Sequence, residues 1–318
     1  MAAIGGVNIT SPGSDAFMAA NPALLSEEMD NKLWFNHTWF LAGVRQNNLA
    51  YVFNTDHNGR WAVGLDHLNY GDMTETDPSG QVLGEFSASD YVVRVSHART
   101  SGVFTLGIAA KLAVSGIAGQ SAVAGLADVG GIFKHPEQDF QVGLVLRNVG
   151  YQFKHFPGAE RAPMPFDAQL GMSYKLEHMP LRFSITAHRL YEWDIVYLDP
   201  NKKSNQLDVN NEEIKEEKTV GDQFLRHFVF GGEFLLSKNF NLRFGYNHLR
   251  RRELRMEEKS GGAGFSFGGT IRIKSFEIAF TKSYYHVAGS TTYLALGTNL
   301  NSLFGKPKTD DVNWPQPQ

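Results

Sequence analysis

Phe240-Asn241-Leu242-Arg243-Phe244-Gly245-Tyr246-Asn247 is the stretch that decides the fold. Phe240, Leu242, Phe244 and Tyr246 share one face of an extended strand, and Asn241, Arg243, Gly245 and Asn247 share the other. Phe166-Asp167-Ala168-Gln169-Leu170-Gly171-Met172-Ser173-Tyr174 repeats the pattern. The period of two recurs from about Lys32 to Leu300 in runs of roughly 10 to 15 residues, against about 5 to 6 in ordinary globular strands. About 9 to 11 tilted residues cross a bilayer as a strand. Lipid offers the backbone no hydrogen bonds, so a strand can cross only as part of a closed barrel. The predicted fold class is all-β: a single closed transmembrane antiparallel β-barrel.

Composition agrees. The 318 residues contain 42% hydrophobic residues and 32 glycines, and the mean hydropathy is -0.28. A barrel reaches such values because only every second strand residue meets lipid. No run of 18 apolar residues occurs, which excludes a transmembrane helix. Cysteine is absent, so disulfides and thiolate metal sites are excluded. A net charge of -3 argues against nucleic acid as a partner. Met1-Ala2-Ala3-Ile4-Gly5-Gly6 has no basic or long apolar leader region. An exported barrel needs a signal peptide, so the expectation is that it is missing from this sequence.

Alternation places strands at 31–45, 48–56, 60–71, 84–98, 102–115, 122–134, 138–152, 164–177, 180–197, 223–236, 240–254, 260–272, 275–287 and 290–301. The count is about fourteen. Short turns, such as Asp56-His57-Asn58-Gly59 and Lys274-Ser275, follow even-numbered strands. Long connections at 72–83, 153–163, 198–222 and 251–259 follow odd-numbered ones. Bacterial barrels pair short periplasmic turns with longer external loops, which predicts both termini in the periplasm. A soluble propeller would instead show shorter strands and a repeat every 40 to 50 residues or so.

Phe104, Leu106, Ile108, Ala110 and Leu112, with Phe276, Ile278 and Phe280, form the expected lipid face. Lys111, Arg182 and Arg243 are expected inside, since a cation facing mid-bilayer lipid costs about 2 to 4 kcal/mol. Trp34, Trp39, Trp61, Trp193, Tyr51, Tyr70 and Tyr197 are expected in interfacial girdles. Small inward residues such as Gly107, Gly171, Gly268 and Gly297 suggest close approach of an internal segment. The natural candidate is residues 1–30, carrying Asn21-Pro22-Ala23, as a plug before a barrel at 31–304 and a tail at 305–318.

No phosphate loop, H-E-x-x-H pair, nucleophile elbow or EF-hand loop occurs. His37, His67 and His97 lack metal-ligand spacing, and Ser96, His97 and Asp90 are too common as types to define a triad. No catalytic, cofactor or metal site is expected. Binding is expected on the external connections, at Asp72, Glu75, Asp77, Phe156, Arg161, Lys202, Lys203, Asp208, Glu212, Arg250, Arg251 and Arg252. Pairing of the arginines with Glu253, Glu257 and Glu258 is the simpler account of that cluster.

Asn21-Pro22-Ala23-Leu24-Leu25 before the first strand, with the strand count, resembles the fatty-acid-transporter-like outer-membrane barrels. Within that group an ordered series spans almost the whole chain. It includes Gly5-Gly6-Val7-Asn8-Ile9, Asn69-Tyr70-Gly71-Asp72, Gly84-Glu85-Phe86-Ser87-Ala88-Ser89-Asp90-Tyr91, Lys175-Leu176-Glu177-His178, Arg226-His227-Phe228, Ser237-Lys238-Asn239-Phe240 and Gly264-Phe265-Ser266-Phe267-Gly268. It is similar to the PorQ-type components of the type IX secretion system of Bacteroidota. That resemblance implies a non-enzymatic anchor for a PorZ-like surface protein, beside PorU and PorV. The complex so formed processes secreted cargo and joins it to lipopolysaccharide. The extension beyond Phe304 departs from barrels that end on an aromatic residue. The alternative is a channel for hydrophobic small molecules.

Overall fold

The computed structural model describes residues 1–11, 20–55, 59–196, 219–255, 261–286 and 289–304. The strands are β1 (Lys32–Trp39), β2 (Arg45–Thr55), β3 (Gly59–Thr76), β4 (Val82–Ser101), β5 (Phe104–Ile117), β6 (Gln120–Lys134) and β7 (Phe140–Lys154). The second half adds β8 (Asp167–Lys175), β9 (Leu181–Ala187), β10 (Phe228–Phe234), β11 (Phe240–Asn247), β12 (Phe265–Ile273), β13 (Phe276–His286) and β14 (Gly289–Asn299). Each pairs antiparallel with its sequence neighbours, and β1 closes the ring on β14 from Lys32↔Asn299 to Trp39↔Thr292. Each of the fourteen expected runs overlaps one of these strands.

Run ends differ where turns and helices stop the ladder. The first stops at Trp39, because Phe40 N–H donates to Val44 O at 2.9 Å across a turn with Ala42 and Gly43 at positive φ. The ninth stops at Ala187, and the tenth begins at Phe228 after helix α1 (Val220–Arg226). The eleventh stops at Asn247, whose side chain caps helix α2 (His248–Leu254) by accepting from Arg250 N–H at 2.9 Å. A short helix, α3 (Leu300–Phe304), follows β14.

The expected loop at 72–83 shrinks to 77–81. Asp77 closes it by accepting from Ser79 N at 2.9 Å and Gln81 N at 2.8 Å, so alternation runs on to either side. Asp72 and Glu75 are therefore strand residues of β3. Strand length is uneven around the ring: β3 to β7 have 14 to 20 residues, and β8 to β12 have 7 to 9.

The two faces sort as expected. Leu106 is 70% exposed, and Phe104, Ile108, Leu112, Phe276, Ile278 and Phe280 join it on the outside. Lys111 Nζ lies 2.6 Å from Asp128 inside. Arg243 Nε lies 3.1 Å from Glu233, which Arg182 also approaches at 3.8 Å.

The girdle is smaller than expected. Trp39 is exposed, but Trp34 points inward, 2% exposed, where a Cβ on Gly297 would meet its ring at 2.4 Å. Trp193 sits beyond β9, stacked on His227 with ring centroids 5.9 Å apart, and Trp61 is half-buried on His97. Turn residues 56–58, Tyr197, the charged segment with Lys202, Lys203, Asp208 and Glu212, Glu257, Glu258 and the tail at 305–318 lie outside the described residues.

Candidate functional site

The lumen holds the described parts of the N-terminal segment, within residues 1–11 and 20–30. A turn at Ala2–Ile4 packs on β10 to β13, and a second at Pro22–Leu24 packs on β4 to β6, so the segment reaches opposite walls. Its polar backbone finds partners on the strands. Gly5 N–H donates to Ser266 Oγ at 3.0 Å, Asn247 Nδ2 donates to Gly5 O at 3.2 Å, and Asn8 Nδ2 donates to Ser184 Oγ at 2.8 Å. Asn21 holds its own turn, accepting from Ala23 N–H at 3.0 Å and donating to Ile9 O at 3.1 Å.

Glycine makes this approach possible. A Cβ on Gly107 would lie 2.3 Å from Ala23 N, and one on Gly130 would lie 2.0 Å from Asn21 Oδ1. Gly231 and Gly171 leave room in the same way for Ile4 and Ile9. Ile4, Ile9 and Leu25 are buried in consequence.

Over this segment, on the side of the connections that follow odd-numbered strands, lies a chamber of about 730 Å³. Met1, Ala2, Ala3 and Gly6 contribute its floor. Phe40, Val92, Leu126, Met164, Tyr285 and Tyr293 give apolar wall. Between them stand Asn48, Asp66, Arg94, Lys111 and Arg147. Asp66 is shared by Asn48 and Arg94, while Lys111 also donates to Asn148 Oδ1 at 2.7 Å. Thus the wall charges are largely cross-braced.

The arginine cluster is divided. Arg250 turns inward, its guanidinium 3.9 Å over the Tyr285 ring and donating to Ser283 Oγ at 3.2 Å, so it lines the chamber and not an outer rim. Arg251 donates to the carbonyls of Gly261 and Ala263. Arg252 pairs with Asp222 of α1 at 2.8 Å. Burial raises the Asp222 carboxyl, but Arg226, Arg252 and His248 together hold it below the usual carboxylate range.

Of the other candidates, Asp72 and Glu75 are exposed on β3 and Asp77 forms its turn. Phe156 is half-buried, and Arg161 lies 4.2 Å over Tyr151. The chamber wall was not legible in the sequence as a unit. Gln46, Asp66, Arg94 and Tyr293 come from four strands, and their inward parity was the one available signal. Among the described residues no group of three His, Asp or Glu could hold a metal ion.

No family model matches the chain, and no curated protein matches it. Solved structures do. The Ralstonia pickettii toluene transporter TbuX aligns with a TM-score of 0.55 at 11% identity, over 93% of this chain and 96% of that one. The monoaromatic hydrocarbon channel CymD aligns at 0.52 and 10%, over 93% and 94%. The Pseudomonas putida toluene transporter TodX aligns at 0.50 and 11%, over 93% and 94%. The fold is that of the outer-membrane hydrocarbon channels. At these identities the likeness is one of fold, and the hydrocarbon-channel fold accounts for nearly the whole chain.

Proposed function

We propose that the chain is an outer-membrane channel for hydrophobic small molecules of the fatty-acid-transporter-like type, with residues 1–30 acting as a hatch inside the barrel at 31–304. The observation that carries this reading is the chamber of about 730 Å³ resting directly on the N-terminal segment, a volume suited to a small ligand. The shared fold supports it, since TbuX and TodX are toluene transporters and CymD is a monoaromatic hydrocarbon channel. Apolar ligand surface would meet Phe40, Val92, Tyr285 and Tyr293, and a polar end would meet the braced charges. In this reading the long connections face outward and both termini face the periplasm.

A second reading is favoured by the ordered sequence series and by the fit of the segment into its glycine sockets. It makes the barrel a closed anchor of the type IX secretion system, PorQ-like, holding a PorZ-like surface protein near PorU, PorV and lipopolysaccharide.

One variant separates them. Asn8→Cys with Ser184→Cys places two thiols where the native side chains are in hydrogen-bond contact, in a chain with no other cysteine. Bridging them with a one-carbon bis-methanethiosulfonate, which forms a disulfide with each thiol and releases methanesulfinate, locks the segment. A channel loses toluene uptake into vesicles and regains it on reduction. If bridged and reduced protein take up toluene equally, or neither exceeds empty vesicles, the channel reading fails. Capture of the PorZ-like protein from detergent-solubilised membranes tests the anchor reading, and no capture in either state would sink it.

A further inference from the structure

The β3–β4 hairpin outgrows its neighbours. The last partner that β2 gives β3 is Arg45, opposite Asn69, and the last that β5 gives β4 is Ile117, opposite Ala88. Beyond these, residues 72–76 pair with 82–87. Six residues at about 3.3 Å each carry this two-stranded ribbon roughly 20 Å past the β5–β6 turn. A register shift between Asn69 and Asp72, with Gly71 at φ 83, separates it from the barrel wall. Nothing lies within 4 Å of a Cβ placed on Gly71 or Gly80.

Among the described residues, both ribbon edges lack a neighbouring strand. β7 has the same problem beyond Arg147, its last residue with a β8 partner. There the chain covers itself: Asn148 Nδ2 donates to Pro165 O at 2.8 Å, Ala162 N–H donates to Gln152 Oε1 at 2.9 Å, and Arg161 covers Tyr151. Among the described residues the ribbon has no such cover. Open edges invite a further strand, and soluble proteins commonly blunt them with lysine or proline. Residues 70–87 contain no lysine or arginine, and their one proline, Pro78, is in the turn. They carry Asp72, Glu75, Asp77 and Glu85, with Val82 and Leu83 63% and 62% exposed.

We infer that this ribbon is a docking strand for an extended, basic segment of a surface-exposed protein, which adds to its edge as a further antiparallel or parallel strand. Backbone pairing supplies the register, the carboxylates of Asp72 and Glu85 on one face and Glu75 on the other select lysine and arginine, and Val82 and Leu83 give the incoming strand apolar contact. The inference takes the outward facing of the long connections from the proposed function and stands apart from whether the lumen conducts.

The test uses the full chain in zwitterionic detergent and a labelled ten-residue peptide of alternating lysine and threonine, with a twin methylated on alternate backbone nitrogens. The unmethylated peptide should bind and slow amide hydrogen exchange within 70–87. The twin, equal in charge but unable to pair along one edge, should bind at least tenfold more weakly to the unaltered protein. Asp72→Lys, Glu75→Lys and Glu85→Lys combined should weaken the parent peptide at least tenfold. Equal binding of the two peptides overturns the inference, as does no binding, or protection confined to residues outside the ribbon.

Discussion

A Cβ placed on Gly245 would lie 2.0 Å from the backbone nitrogen of Gly5. Two residues 240 positions apart in sequence thus meet backbone to backbone, and neither partner is a flexible side chain that could step aside. Gly245→Ala should therefore displace the Ala2–Ile4 turn and break the bonds from Gly5 N–H to Ser266 and from Asn247 to Gly5 O. Overpacking of this kind costs about 1 to 3 kcal/mol. Protease cleavage within residues 1–11 should rise, whereas Gly232→Ala, with nothing within 4 Å of its Cβ, should leave cleavage unchanged.

The Lys111–Asp128 pair gives a second expectation. Its side chains are 5% and 2% exposed. Lys111→Met strands a buried carboxylate and should cost about 3 to 5 kcal/mol, while Lys111→Met with Asp128→Leu should recover most of that loss. Urea unfolding from lipid vesicles measures both, and equal stability of the two variants would refute the coupling.

Asn21 serves the N-terminal segment through two bonds, one to Ala23 N–H and one to Ile9 O. Asn21→Ala should cost about 1 kcal/mol through the lost cap. Asn21→Asp keeps the acceptor and loses the donor, so it should fall between the native protein and the alanine variant in protease resistance of the segment.

Asp222 makes the contact between α1 and α2 dependent on pH. Its carboxyl is held low in the fold, so its contribution is complete above the unfolded value of about 4 and is lost as pH falls through the lower folded value. Protection of the His248–Leu254 amides relative to their intrinsic exchange rates should fall on acidification, and Asp222→Asn should show the lower protection at every pH.

Strand count and facing were readable because parity repeats over long runs: Lys111, Arg182 and Arg243 could go nowhere but inward. Trp34 misled for a local reason. An aromatic near a strand end suits a girdle equally well, and the glycine that makes room for its ring, Gly297, is 263 residues away. Arg250 misled because a helix beginning at His248 replaces period two by a period near 3.6, which turns successive arginines in different directions. The chamber could be foreseen only as scattered inward residues, since closure of the ring is what brings Asp66 and Tyr293 to one cavity.

For the outer-membrane barrel proposed above, the unequal strands have a consequence for the surrounding bilayer. Seven residues at about 3.3 Å, tilted by roughly 40°, span less than the apolar band of about 25 Å that such barrels present. On that side Trp193, Val220 and Phe224 are exposed beyond the ends of β9 and β10 and carry apolar surface past them. The lipid annulus thus meets a tall wall of strands on one flank and a low wall topped by loop and helix on the other. Hydrophobic mismatch of this one-sided kind leans a barrel in its membrane and thins the leaflet beside the low wall.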